Sequence, residues 1–331
     1  MSQASSAKSL EKPSGKKLSE PRKENSTRAS KPLRKVFDIK RKVTLFSILA
    51  LVIILLTVIA PWIVPFDPYV QDLSHALQAP SAEHIAGTDR YGRDLLSRIL
   101  VGAQSSIFST FVLVGAIAVI GTGIGMIAGW NNKKLDTVLM RTSDVFLAFP
   151  GLVFALAVAG VLGGGMHNAV IALVAISWPK YARIARGLTL AQKNATYLKV
   201  ARLSGCTTPQ LIMRHILPNI AGPLLVTALL DIGTMMMELA GLSFLGLGAQ
   251  PPVAEWGSMM SDNRSLLQTS PWTVVGPGVA IFITVLIFNL LGDALRDWID
   301  PEQRTTKPGG QGWLRSQSWL RSQGRLRKKR A

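Results

Sequence analysis

Tyr197-Leu-Lys-Val-Ala-Arg-Leu-Ser-Gly-Cys-Thr-Thr-Pro-Gln-Leu-Ile-Met-Arg-His-Ile-Leu-Pro-Asn219 is polar and basic, yet it lies between two apolar runs, Met166–Leu190 and Ile216–Leu242. Outward from it the alternation repeats. Val43–Val64, Ile99–Trp130, Leu135–Leu162 and Trp272–Leu291 are also apolar, and each is long enough for the roughly 20 residues a helix needs to cross a bilayer. The expected fold is an all-α polytopic membrane protein with six transmembrane helices.

Composition points the same way. Of 331 residues, 48% are hydrophobic and 17% charged, against about 25% charged in an average soluble protein. The net charge of +18 is concentrated at the ends. Residues 1–42 hold 13 basic and 4 acidic residues, and residues 301–331 hold 9 and 1. Lys and Arg collect on the cytoplasmic flanks of membrane helices, so both termini are expected inside, which requires an even number of spans. Nucleic acid is excluded as a partner because the tails carry no aromatics on a folded surface. Contact with anionic membrane lipids or simple solvation remain as readings of the tails. The repeated Trp313-Leu-Arg-Ser-Gln and Trp319-Leu-Arg-Ser-Gln suits either an interfacial lipid contact or a functionless duplication.

The organisation expected is a basic disordered tail at 1–42, a first transmembrane helix at 43–64 and an external loop at 65–98. A core at 99–297 contains five more helices and the polar segment at 192–218, and a basic tail follows at 298–331. The apolar run at 43–64 follows 42 polar residues, so it reads as a retained span rather than a cleaved signal. Gly115, Gly121, Gly123, Gly125 and Gly129 allow close helix contact in lipid. Gly163-Gly164-Gly165 reads as a tight external turn.

The sequence also excludes chemistry. It has no G-x-x-x-x-G-K-[ST] loop for ATP. His75, His84, His167 and His215 are scattered, and Cys206 is the only cysteine, so neither a metal site nor a disulfide is expected. No nucleophile sits beside a base. The chain is expected to be a non-enzyme without cofactors.

Within the opening segment, the residues before Gly205 read as a short helix with Gly205 as its C-terminal break, and Thr207/Thr208 as an N-cap with Pro209 at the first position of a second helix that meets Pro218 at the membrane. Two short helices at an angle make a rigid knob. The segment resembles the loop by which permeases of type I ABC importers engage their ATPases. Lys199-Val200-Ala201 stands where that family has Glu-Ala-Ala, Gly205 at its glycine and Leu217-Pro218 at its end. The resemblance implies that Leu198, Lys199, Ala201, Gly205, Leu217 and Pro218 take part in coupling. Lys199 replaces an acid, so a salt bridge built on that acid is not expected.

Three further blocks resemble permeases of dipeptide, oligopeptide and nickel importers, and specifically their second, C-type subunit. They are Gly87-Thr-Asp-Arg-Tyr-Gly-Arg-Asp94 through Arg98, then Leu242-Ser-Phe-Leu-Gly-Leu-Gly248 with Gln250-Pro-Pro252 and Glu255-Trp-Gly257, and lastly Asn289-Leu-Leu-Gly-Asp293 through Pro301. The resemblance spans about 36–301. It implies a type I ABC importer permease fold, and as partners a second permease subunit, two ABC ATPases and an extracytoplasmic substrate-binding protein. The wording at Ala201–Gly205, Leu230–Gly233, Met235-Met236 and Ala240-Gly241 leans toward nickel or metal-chelate permeases over peptide permeases. A gradient-driven secondary transporter is the alternative, but no internal repeat supports it and the polar knob has no place in it.

Asp231 and Glu238 lie seven residues apart on one face of the fifth span. Acids at such depth are costly and face a cavity or a partner. They either line a translocation path for a cationic substrate or hydrogen-bond across the interface of two permease subunits.

Overall fold

The computed structural model describes residues 31–299. The Trp-Leu-Arg-Ser-Gln repeat, Asp300-Pro301 and most of both basic tails lie outside them. Among the described residues the chain is helical, with one isolated bridge between Thr88 and Asp94.

Helix α1 (Lys31–Ile63) is apolar over Ile39–Ile63 and shows most of that surface to lipid. Its small residues Ala50, Thr57 and Ala60 are buried. Helices α2 (Leu95–Ala103) and α3 (Ser109–Trp130) join through a π-helical turn, Gln104–Phe108, into one apolar stretch of 36 residues. This stretch starts four residues earlier than the sequence suggests. Asp94 caps it by accepting from the Ser97 backbone N–H, which satisfies an otherwise orphaned donor.

Helices α4 (Lys133–Leu147) and α5 (Gly151–Val161) replace the single span expected at 135–162. They meet at 89°. The cause is Pro150, which brings no N–H to the helix and forces Phe149 before it out of helical geometry. Gly163, Gly164 and Gly165 all take positive φ (86°, 72° and 94°) and turn the chain into α6 (Met166–Lys193).

Helix α7 (Thr196–Leu203) is followed by α8 (Thr208–Gln210), which passes through a π-helical turn, Leu211–Ile216, into α9 (Leu217–Phe244). Helices α10 (Trp256–Asp262) and α11 (Trp272–Ile299) complete the described chain. Among the described residues, four helical stretches are long and apolar enough to cross a membrane, at 39–63, 95–130, 208–244 and 272–299, and a fifth if the bent α4–α5 pair counts as one span. Helix α6 is as long as α11 but carries Lys180, Arg183, Arg186 and Lys193.

The seam of α3 on α6 is the most extensive helix pair. A Cβ on Gly121 would lie 2.5 Å from the Tyr181 Cβ, on Gly125 2.3 Å from the Ala182 carbonyl, and on Gly129 2.9 Å from the Thr189 Cβ. Glycine at every fourth residue lets the two backbones touch, the usual way helices gain contact where lipid is as apolar as leucine. Gly115 and Gly123 meet nothing within 4 Å, so only three of the five glycines read from the sequence serve this seam.

One core cluster joins α3, α6 and α9 and includes Leu198 and Leu211; a second joins α2, α10 and α11 around Trp256. Gly125→Ala overpacks the seam and is expected to destabilise the detergent-solubilised protein by about 1–3 kcal/mol. Gly123→Ala is expected to be neutral or mildly stabilising, since it only adds helix propensity. Thermal unfolding midpoints of the two variants check this pair.

Candidate coupling and translocation sites

Between α6 and α9 the backbone is closed by its own hydrogen bonds. The Gly205 N–H donates to the Arg202 carbonyl (3.1 Å) and the Cys206 N–H to the Ala201 carbonyl (3.1 Å), with Gly205 at φ +88°. This pair of bonds is a Schellman cap, which needs a left-handed residue and explains glycine at 205. The Thr207 N–H then donates to Gln210 Oε1 (2.9 Å), opening the next helix.

That helix does not stop at Pro218. The π-turn widens the backbone ahead of the proline, and one helix runs from Thr208 to Phe244. The knob expected from sequence as two short helices is therefore one short helix, α7, docked on the N-terminal end of a 37-residue helix.

Of the residues assigned to coupling, Leu198 is 3% exposed and Ala201 is half buried, so both face the core. Leu217 is half buried, whereas Lys199, Gly205 and Pro218 are exposed. The outward apolar groups are Val200, Met213 and Leu203, the last 89% exposed. Their signal was present as an i, i+3 apolar pair, 200 and 203, on the opposite face of α7 from 198 and 201.

Lys193 closes the base of the knob. Its Nζ donates to the carbonyls of Gly129 (3.3 Å), Trp130 and Asn131 (3.3 Å) at the end of α3. A cation there compensates the helix's negative end.

Asp231 is 4% exposed and forms an ion pair with Lys180 of α6. The fully buried Tyr181 lies beside the same carboxylate. Glu238, two turns further on, is half buried and carries no hydrogen bond or ion pair among the described residues. Sequence reading did not pair Lys180 with Asp231, because the two are 51 positions apart. Two more pairs fasten α6 to α4: Arg183 to Asp144, and Arg186 to both oxygens of Asp136.

The Gly87–Arg98 block forms a buried polar knot. The Asp89 carboxylate accepts from Arg93 Nε (2.7 Å) and from the backbone N–H groups of Tyr91 (2.8 Å) and Arg93 (3.1 Å). Asp94 binds His84 Nδ1 (2.9 Å) and the Ser97 hydroxyl (2.7 Å). Arg98 donates to the Pro68 carbonyl (2.9 Å). Gly92, at φ +71°, lies so close to the Asp72 carbonyl that a Cβ would sit 1.7 Å from it. Exposed Asp72 has its carboxyl held down at about 2 by hydrogen bonds from the Ser74 hydroxyl and from His75.

The block after α9 clasps the same region. Glu255, 1% exposed, caps α10 through the N–H groups of Gly257 (2.9 Å) and Ser258 (2.8 Å) and accepts from the Ser106 hydroxyl (3.1 Å) in the π-turn. Trp256 Nε1 donates to the Ile99 carbonyl (2.9 Å). Arg90 donates to the Asp262 carbonyl, and an open cleft of about 500 Å³ beside it is lined by Arg90, Gly246, Asp262 and Arg264. The polar groups of these two blocks are largely spent on one another, which makes the blocks a folded cap. Among the described residues no three His, Cys, Asp or Glu side chains come together as metal ligands.

Residues 121–305 match the family described as binding-protein-dependent transport system inner membrane component, and residues 39–80 match the N-terminal TM domain of oligopeptide transport permease C. A dipeptide transport system permease protein of Alkalihalophilus pseudofirmus is 38% identical over 289 residues, covering 86% of this chain and 95% of that protein. A probable D,D-dipeptide transport system permease of Escherichia coli is 40% identical, covering 77% and 86%. A glutathione transport system permease of Pectobacterium atrosepticum is 43% identical, also covering 77% and 86%. A chain of the inward-facing MetNI methionine ABC transporter shares the fold at a TM-score of 0.51 and 18% identity, over 61% of this chain and 97% of its own. The chain is a multi-pass protein of the bacterial inner membrane and belongs to the permease components of binding-protein-dependent ABC importers.

Proposed function

We propose that this permease subunit carries peptides. The observation behind this reading is the set of relatives, named for dipeptides, a D,D-dipeptide and glutathione and aligned over most of the chain. It corrects the lean toward nickel or metal chelates drawn from Ala201–Gly205 and Leu230–Gly233, because those short stretches are outweighed by similarity over most of the chain. Calorimetry on the substrate-binding protein that serves this permease tests it. Di- and tripeptides are expected to bind and nickel chelates to leave no heat; the reverse result removes the peptide reading.

The subunit works beside a second permease subunit, with two ABC ATPases on the inside and a substrate-binding protein outside. ATP hydrolysis belongs to the ATPases. Six spans with both termini inside accommodate the charge distribution, with α4–α5 as one bent span and α6 as another. The charges on α6 do not bar it from the membrane, since Lys180, Arg183 and Arg186 are each matched by a carboxylate. Closure of the ATPases pushes on the knob at 195–218. Because α8 runs unbroken into α9, the push reaches Asp231 and Glu238 along one helix.

Asp231 and Glu238 have separate roles in this scheme. Asp231 is taken up by Lys180 and serves packing, whereas Glu238 is the free carboxylate and faces the path. Glu238→Gln is expected to lower uptake about tenfold or more with the complex still assembled, as removal of a single charged contact costs more than about 1.4 kcal/mol. Asp231→Asn is expected to weaken assembly itself, because it leaves the Lys180 ammonium unmatched. Uptake and co-purification measured on both variants separate the two, and normal uptake by Glu238→Gln removes it from the path.

A further inference from the structure

We propose that the cleft between Arg90 and Arg264 is a transient binding site for a small zwitterion, in which the two guanidinium groups take the C-terminal carboxylate of a free peptide and the Asp262 carboxylate takes its ammonium group. This rests on the peptide reading above and gives that substrate a first contact on the permease.

Most polar groups of the folded cap have partners within the molecule, and the cleft is where the unused ones collect. It has a volume of about 500 Å³ and is lined by Arg90, Phe244, Asp262, Arg264 and Ser265 among others. The Arg264 guanidinium and the Ser265 hydroxyl are exposed and make no hydrogen bond or ion pair among the described residues. Arg90 gives a donor to the Asp262 carbonyl, and its guanidinium lies 5.9 Å from the Tyr91 ring centre, so most of its N–H donors are unused. The half-buried Asp262 carboxylate acts on Arg98 through charge but accepts no hydrogen bond among the described residues.

The frame that presents these groups is fixed. Arg90 stands in a turn closed by the Gly92 N–H on the Asp89 carbonyl (3.0 Å). The Ser261 hydroxyl donates to the Phe244 carbonyl (2.6 Å), which ties α10 to the end of α9. Between Asp262 and Arg264, the buried Asn263 donates through Nδ2 to the Met259 carbonyl (2.9 Å). A ligand therefore meets charges already in place, and binding costs little reordering of the protein.

The charge pattern selects the ligand. A guanidinium fork matches the two oxygens of a carboxylate. The single acid beside the two arginines disfavours a simple anion and favours a molecule with one charge of each sign. Leu245, 53% exposed, and Phe244 add an apolar wall for a peptide side chain. The volume falls in the roughly 300–1,000 Å³ range of small-ligand sites, but the cleft is open and polar, which suits brief occupancy. Its place suits a first contact as well. The cleft lies at the end of α9 opposite the knob, and Glu238 precedes Phe244 on that same helix.

The test uses the assembled complex of both permeases and the ATPases, without the binding protein. Saturation-transfer NMR reads the binding of the dipeptide Ala-Phe, its C-terminal amide and its N-acetyl derivative, with thermal midpoints as a folding control. Ala-Phe is expected to bind about tenfold more tightly than either derivative. Arg264→Gln removes no contact that the fold uses; it is expected to weaken Ala-Phe about fivefold and to leave the amide unchanged. Asp262→Asn keeps the carbonyl that Arg90 uses and is expected to weaken Ala-Phe while leaving the N-acetyl derivative unchanged.

Equal affinities for the three ligands overturn the site, as does an Arg264→Gln complex that binds Ala-Phe as well as the unaltered one. Peptides that still bind the substrate-binding protein in calorimetry then show that the peptide reading survives without it. A binding protein that takes nickel chelates and no peptide removes both. If Arg264→Gln weakens docking of the loaded binding protein and not Ala-Phe, the carboxylate belongs to that protein and the proposal falls. It falls too if phosphatidylethanolamine added to the detergent abolishes Ala-Phe binding, because a lipid headgroup then fills the cleft.

Discussion

Three cations on one helix set the terms for the rest of this structure. Lys180, Arg183 and Arg186 follow one another along α6. Each meets a carboxylate from another helix: Asp231 of α9, Asp144 of α4 and Asp136 of α4. These pairs fix the two neighbours of α6 that close packing alone would leave free to slide. The third neighbour, α3, is held differently, through backbone contact at Gly121, Gly125 and Gly129. Helix α6 is thus the hub, with charge on two sides and glycine on the third. Of the three pairs only Lys180–Asp231 has a deeply buried member, the carboxylate, so loss of Lys180, which would strand that charge, costs the most.

Around that hub the molecule has two unlike ends. At one, Asp89, Asp94 and Glu255 collect backbone and side-chain donors until little polar capacity remains. At the other lies the knob. Its backbone is capped at Gly205 and its inward leucine is buried, while Leu203, Lys199 and Arg214 are exposed, the two cations with no partner among the described residues. The two ends are linked by the helix that starts at Thr208 and ends at Phe244. Its π-turn at Leu211–Ile216 carries the helix past Pro218 without a break, so the knob and the far end of α9 belong to one continuous helix.

Much of the helical architecture was legible in the sequence because bilayer crossing leaves a strong, low-resolution signal. Apolar length located the helices, and Gly163–Gly165 and Gly205 marked turns that do need positive φ. The same signal hid the bend at Pro150, since a proline within a long apolar run does not interrupt hydropathy. It also hid the pairing of Lys180 with Asp231, which depends on how α6 and α9 face each other. At the knob the family resemblance directed attention to Leu198 and Ala201, which turn inward. The outward surface is written in Val200 and Leu203, whose meaning emerges only once the buried face of α7 is known.

On the proposed function, the force for transport enters through the knob from a separate ATPase. Peptide uptake by cells that keep both permeases and the binding protein but carry an ATPase unable to hydrolyse ATP measures this most directly. The account predicts that uptake falls to background while the complex still assembles. Uptake that continues, and collapses only when the membrane ion gradient is dissipated, would contradict it.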